Sequence, residues 1–431
     1  MRYYFLVIIF LTKFVAQGQE YVLDSLLPNY GDLIHMDSNV LLGADNSPNF
    51  NHFFSKLDSV YSGKKEKLHI FHIGGSHIQA DIYSNKLRTY FQNMNEVSMG
   101  QRGFVFPFQL AHTNNPSNYS IKATKDKWKG YRNSVLRDSV AWGLAGVSAA
   151  FKDYSDTIYI NANYKSTIKK NYTFNKLRIF YNTWKNDYNV TVLDSNLVVS
   201  DTVDYQMMFR EFSLSRAVES LNVGIQLKDS TNTNPEFLMM GMEFRNDNTG
   251  IEYTSIGVNG ASFGSYKRSA FFEKQLTLYK PDLFIISIGT NDAYKPKAEF
   301  KEEEYKANYE AFIQMIQHIN PDCAILLTVP NDNYYKKKYP NPNTAIQQQI
   351  ILQLAKKYNL AVWDLYAVMG ELGSSYKWYK HKLMQSDRIH FTYLGYSIKA
   401  DLLLNALVNA WANSTKRDPE KLLNHFKTLN E

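Results

Sequence analysis

An apolar run from Leu68 to Ile73 breaks into Gly74-Gly75-Ser76-His77 and resumes through Ile78, Ile82, Leu87 and Phe91. No other stretch restricts the fold of this chain as much. The run suits a buried strand, the two glycines release the backbone for a sharp turn, and the later apolar positions mark one face of a helix. In a parallel sheet such a unit projects its turn residue from the carboxyl end of a strand. The Ser76 hydroxyl then stands clear of the sheet. Its N–H lies at the positive start of a helix, which favours a developing oxyanion. Taken alone, the stretch also reads as a glycine turn with a serine cap. Ser76 gains chemical meaning only alongside a base and further oxyanion donors.

The same alternation of strand and helix returns from about residue 251. Leu283 to Ile288 is a buried-strand run, and Tyr305, Tyr309, Phe312, Ile313 and Ile316 make a helical stripe. Ala324 to Val329 is the next strand, followed by a helix bearing Ile346, Ile350, Leu354 and Tyr358. Ala361-Val362-Trp363 is a short strand, and Leu394, Ile398, Leu402 and Leu407 mark a last helix. This order predicts an α/β domain: a mostly parallel sheet with helices on both faces. Between about 120 and 248 the texture changes to short apolar or alternating runs separated by Asn, Asp, Ser and Thr clusters. Examples are Thr157 to Ile160, Leu177 to Tyr181 and Phe237 to Gly241. Such spacing predicts an all-β domain of two packed antiparallel sheets, a β-sandwich, inserted into the α/β domain. The expected organisation is therefore 19–119 and 249–431 for the two parts of the α/β domain, with 120–248 inserted. Residues 19 to about 65 read as a polar, loop-rich lead-in, and Gly100 to Pro107 as a loop with a short extended piece.

At the amino terminus, Arg2, the apolar run Phe5 to Leu11 and the small residues Ala16 and Gly18 predict a secretory signal over residues 1–18, cleaved before Gln19. The run is too short to span a bilayer, and no later segment approaches that length. A periplasmic or secreted protein with no membrane span after cleavage is expected. Removing residues 1–18 leaves 46 basic against 41 acidic side chains, a charge of about +5. That balance is not a nucleic-acid signature, although it favours loose attraction to an anionic wall. Charged residues at 21% and hydrophobic ones at 44% exclude wholesale disorder. The lone Cys323 has no partner for an internal disulfide and reads as a small buried hydrophobe.

Loops after strand carboxyl ends are where a parallel sheet carries its chemistry. After Ile288 comes Gly289-Thr290-Asn291-Asp292, whose Asn291 amide is a neutral donor suited to an oxyanion, or else an Asx turn ending a strand. Gly260, in Val258-Asn259-Gly260-Ala261, is a turn glycine whose N–H can approach a ligand. Near the carboxyl end, Asp387-Arg388-Ile389-His390 places a carboxylate three residues before an imidazole. On a shared loop it accepts the Nδ1 proton, fixes the tautomer and leaves Nε2 as the base.

In this order the four pieces, Gly74-Gly75-Ser76-His77, Gly260, Gly289-Thr290-Asn291-Asp292 and Asp387-Arg388-Ile389-His390, resemble the sequence blocks of the SGNH (GDSL-like) hydrolases. The resemblance spans residues 68 to 91 and about 251 to 411. It implies a three-layer α/β/α sandwich with Ser76 as nucleophile, His390 as general base and Asp387 orienting it. It also implies an oxyanion hole from the Ser76 and Gly260 N–H groups and the Asn291 side chain, with no cofactor and no metal. Gly75 departs from the pattern, standing where most members have Asp. The position of the β insertion, the Gly-x-Ser-His turn and Arg102-Gly103-Phe104-Val105-Phe106-Pro107 look like the bacterial peptidoglycan O-acetylesterases, whose insert resembles a carbohydrate-binding module. The expected activity is removal of O-acetyl groups from a cell-wall or extracellular glycan. An O-acetyltransferase with the same triad and a sugar acceptor is the first alternative. A non-catalytic glycan-binding surface protein is the second.

Other candidates compete with structural readings. His69, His72 and His77 lie close in sequence without the acidic or Cys partners of a zinc site. Tyr334-Tyr335-Lys336-Lys337-Lys338-Tyr339 lines a glycan groove or is a solvated loop. Trp128, Tyr131, Trp378 and Tyr379 offer sugar-stacking faces or belong to the core.

Overall fold

The computed structural model describes residues 30–428, so the expected signal segment at 1–18 lies outside the described residues. The central sheet has strands β1 (Leu41–Leu42), β2 (Lys67–Gly74), β3 (Gly250–Gly257), β4 (Leu283–Ser287), β5 (Ala324–Val329) and β6 (Ala361–Asp364). Their spatial order is β1-β6-β5-β4-β2-β3, with β1 antiparallel to β6 and every other pair parallel. Both faces of such a sheet are buried, which explains the near-continuous apolar strands. Leu68 and Ile70 pack in a core with the helices Pro48–Tyr61, Tyr83–Gln92 and Tyr393–Thr415. Phe71 and Ile73 pack on the opposite face, in a core shared with the helix Glu302–Ile319 and the antiparallel sheets. The α/β/α architecture predicted from the alternation is the one observed.

Two local expectations need correction. The lead-in is not merely loop: Pro48–Tyr61 is a helix that buries Phe50, Phe53, Phe54, Leu57 and Val60. Its spacing is that of one helix face. The helix after Gly75 is also not continuous. It divides into Ser76–Gln79 and Tyr83–Gln92, with Asp81 between them in the left-handed region at φ 46°. The break has a cause in the buried Asp81 carboxylate. It accepts from Ser84 Oγ at 2.6 Å, Ser255 Oγ at 2.8 Å, Asn118 Nδ2 at 2.8 Å and the Arg88 guanidinium at 3.1 Å. Burial alone would raise its pKa, but the Arg88 and Arg102 guanidinium groups bring it below the usual carboxylate value. The segment following Ser76 is thereby tied to β3 and to Asn118.

Between β2 and β3 lie antiparallel sheets of seven and four strands. The larger sheet also takes in Gly103–Val105, paired with Phe237–Arg245, so it draws on residues either side of position 120. Trp128 and Trp378 are buried core residues, Tyr131 is half-buried, and Tyr379 is 36% exposed. Cys323 is buried and unpaired, its thiol pushed up by that burial. Among the described residues, no helix is long and apolar enough to cross a membrane.

Candidate active site

The register of the central sheet brings three sequence pieces to one line. Gly74 at the end of β2 pairs with Gly257 of β3 on one side and Ser287 of β4 on the other. The loops carrying Ser76, Gly260 and Asn291 therefore start level and side by side. Gly257 is what lets the Ser76 helix sit so low, since a Cβ there would lie 2.1 Å from the Gln79 nitrogen. The fourth piece, Asp387 to His390, arrives on the loop before the helix Tyr393–Thr415.

Ser76 Oγ lies 2.8 Å from His390 Nε2, and His390 Nδ1 lies 2.8 Å from Asp387 Oδ2. The carboxylate can only accept, which places the imidazole proton on Nδ1 and leaves Nε2 to receive the Ser76 proton. Asp387 Oδ1 accepts the amides of Ile389 at 2.9 Å and His390 at 3.0 Å, folding the loop around the carboxylate. Asn331 Nδ2 holds the same loop through the Ile389 carbonyl at 3.1 Å. Partial burial would raise the Asp387 pKa. The hydrogen bonds from the His390 ring and the two amides override it and hold the carboxyl well below the usual range.

The candidate oxyanion donors are the Ser76 and Gly260 amides and the Asn291 side chain. Gly260 sits at φ 80°, a conformation glycine adopts freely, in a turn closed by the Ala261 amide on the Val258 carbonyl at 3.0 Å. Asn259 fixes the turn from both sides: its amide donates to Gln79 Oε1, and its carbonyl accepts from Ser134 Oγ, each at 2.7 Å. Asn291 Nδ2 donates to the Ala261 carbonyl at 2.9 Å, which orients the amide and leaves its second hydrogen for a ligand. Among the described residues, the Ser76 and Gly260 amides have no acceptor. At Gly75 a Cβ would come within 3.3 Å of Asn291 Nδ2, so a carboxylate there would crowd the donor. Gln79, Ser134 and Asn331 carry no motif in the sequence; they act by contacts that only the fold creates.

The three histidines of the possible zinc cluster go to separate protein partners. His69 Nε2 meets Thr254 Oγ1 at 2.9 Å, and His72 lies between Tyr253 OH and Ser287 Oγ, each at 2.8 Å. His77 packs its ring 5.1 Å from that of His390 and pairs Nδ1 with Tyr396 OH at 2.9 Å. Burial first, and nearby Lys399 second, keep His77 well below the ordinary imidazole pKa. Among the described residues, no group of three or more His, Cys, Asp or Glu side chains is placed to hold a metal ion.

Lys399 itself is buried at 6% exposure, 4.4 Å over the Tyr83 ring and 5.5 Å from that of Phe391. It forms no ion pair among the described residues, and burial pulls its pKa down to about 7. The unfolded chain, with a free lysine, binds the extra proton between about pH 7 and 10.4, so this group makes stability rise with pH across that window. Lys399→Met should accordingly stabilise the fold by about 2–4 kcal/mol at pH 6, with the gain shrinking towards pH 10. Urea melts of parent and variant at the two pH values check this. A gain independent of pH would assign the effect to packing alone.

The GDSL-like Lipase/Acylhydrolase family profile matches residues 222–398, a span that holds Gly260, Asn291, Asp387 and His390 but not Ser76, which the antiparallel sheets separate from the rest. No curated protein matches. Among solved structures, a peptidoglycan O-acetylesterase is 19% identical, covers 86% of this chain and 97% of its own, and superposes with a TM-score of 0.66. That similarity shows the fold. An acetyl xylan esterase is 20% identical over 36% of this chain and 81% of its own, with a TM-score of 0.30. A family two carbohydrate esterase from Cellvibrio japonicus is 12% identical over 68% of this chain and 98% of its own, with a TM-score of 0.28.

Proposed function

We propose that this chain, which carries a hydrolase domain of the GDSL-like lipase/acylhydrolase family, is a serine esterase that removes O-acetyl groups from a cell-wall glycan, with Ser76, His390 and Asp387 as its triad. The observation that supports this most is the continuous relay from Ser76 Oγ through His390 to Asp387, at 2.8 Å for each step. Ser76 Oγ attacks the acetyl carbonyl carbon as His390 Nε2 takes its proton. The tetrahedral oxyanion is held by the Ser76 and Gly260 amides and by Asn291. Collapse expels the sugar oxygen, which takes the proton from His390 and leaves Ser76 acetylated. Water, deprotonated by His390, then releases acetate.

The relay is shallow: the His390 side chain is 38% exposed and that of Asp387 27%. A site this open suits an acetyl group carried on a polymer. The similarity of fold to a peptidoglycan O-acetylesterase favours peptidoglycan as that polymer, and with it a periplasmic or secreted location. The test is acetate release from O-acetylated peptidoglycan set against acetylated xylan and alginate, with the fate of a labelled acetyl group followed. Fastest release from peptidoglycan supports the reading. Transfer to a sugar acceptor in place of hydrolysis would make the protein an acetyltransferase, and glycan binding with no turnover would make it a binding protein. Asn291→Ala should lower kcat by about 10²-fold with little change in KM, because its donor meets charge that develops only in the transition state. A rise in KM with kcat unchanged would place Asn291 in ground-state binding instead.

A further inference from the structure

One motif singled out in the sequence has no part in the mechanism above. Tyr334–Tyr335 and Tyr339–Pro340 form a small antiparallel hairpin whose tip is Lys336, Lys337 and Lys338, all exposed. The hairpin stands between the two loops that carry the proposed chemistry. On one side, the Lys336 amide donates to Tyr294 OH at 2.9 Å, and the Tyr294 and Tyr335 rings meet edge to face at 5.2 Å, just beyond Asn291. On the other, the Arg388 guanidinium donates to the Lys337 carbonyl, and Arg388 lies on the loop between Asp387 and His390. Arg388 is seated 4.4 Å from the Tyr334 ring and 5.7 Å from that of Tyr376, the latter 41% exposed.

The charge on this face is mainly positive, its acids being Asp387, held by His390, and Glu371, exposed just ahead of the helix Ser374–Lys380. Lys377, Lys380 and Lys382 extend it along the helix Ser374–Lys380 and the turn beyond, and all three are exposed. Among the described residues, none of these cations forms an ion pair. Asp332 lies beneath, but it is buried and turned inward to accept from the Ser375 amide at 2.9 Å and hydroxyl at 2.7 Å. Lys336 and Lys337 hold left-handed backbones at φ 53° and 59°, positions where Asn or Gly would be favoured. The cations alternate with aromatic faces: Lys338 over Tyr339 at 5.3 Å and Lys380 over Tyr376 at 5.4 Å. Alternation of this kind offers sugar rings a surface to lie on and carboxylates a place to pair. The Arg388 guanidinium, fixed against two rings, holds a permanent positive charge at the base of this face.

We propose that the lysine hairpin, Arg388 and the Tyr376 face together form a subsite that binds the carboxylate groups of the acetylated glycan beside Ser76. This rests on the esterase reading for its choice of ligand, so the test is a binding measurement that needs no turnover. Full-length Ser76→Ala protein is titrated with O-acetylated disaccharide peptides from peptidoglycan, and with the same fragments after their carboxylates are amidated. At low salt the carboxylate form should bind about tenfold tighter or more, and the advantage should collapse at about 0.5 M NaCl, where screening is nearly complete. Adding Lys337→Glu and Lys338→Glu should remove the preference for carboxylate. Equal affinity for the two forms at low salt would overturn the proposal, as would a preference that survives high salt or the charge reversal. The salt series on the Ser76→Ala protein stands by itself should the charge-reversed protein fail to fold. A carboxylate preference without acetate release by the parent would keep the subsite and remove the esterase reading. Release without the preference would do the opposite.

Discussion

Ser76→Ala should reduce acetate release from an O-acetylated glycan by about 10⁴-fold or more, with the fold intact. The nucleophilic oxygen, the hydrogen-bond partner of His390 Nε2, is lost. Structure should hardly change. That hydroxyl makes a single hydrogen bond, to a partly exposed imidazole, worth about 1 kcal/mol. The backbone bonds of the turn run from the Ile78 and Gln79 amides to the Gly75 carbonyl and do not involve the side chain. Acetate release and a urea melt, measured together, separate lost chemistry from lost folding. A variant retaining a tenth of the parent rate would remove Ser76 from the mechanism.

Asp387→Asn should cost a similar factor, about 10⁴ in kcat, for a different reason. The Asn oxygen can still accept the Ile389 and His390 amides, so the loop keeps its shape. Its NH₂ group then faces His390 Nδ1 in place of a carboxylate oxygen. Donor meeting donor shifts the imidazole proton to Nε2, and that nitrogen no longer accepts from Ser76. Because its hydrogen bonds hold the native carboxyl well below the usual range, Asp387 stays ionised in any ordinary assay buffer. The acid limb of the rate profile therefore does not report on it. The decisive readout is kcat on a small acetyl ester alongside thermal stability. A loss in kcat matched by unfolding would mean that Asp387 serves the loop and not the imidazole.

The parts of the site that were legible in the sequence are those with a local signature. A strand, glycine turn and serine can be read within ten residues or so, and an Asp-x-x-His pair lies on one loop. The alternation after residue 251 carried the α/β architecture because each buried strand is a separate apolar run. The features with no local signature depend on contacts between distant segments. Asp81 breaks its helix to meet Ser255 and Asn118, and Ser134 reaches Asn259 from the other side of the chain's long β excursion. No periodicity marks such pairs. The helix Pro48–Tyr61 is a different case: Phe50, Phe53, Phe54, Leu57 and Val60 carry a clear helical spacing that polar neighbours obscured. Gly103–Val105 shows in the sequence only as a short extended piece in a loop, because its partner strand lies more than a hundred residues away, at Phe237–Arg245.

The central claim is that an acetyl group passes through Ser76, and trapping that intermediate tests it most directly. The enzyme is mixed with an excess of acetylated substrate, quenched in acid within one turnover, digested and mapped by mass spectrometry. One acetyl group should appear on the peptide that contains Ser76, and none should appear in the Ser76→Ala protein. An acetyl group on another residue, or full turnover with no acetylated Ser76 peptide at any quench time, would contradict the account.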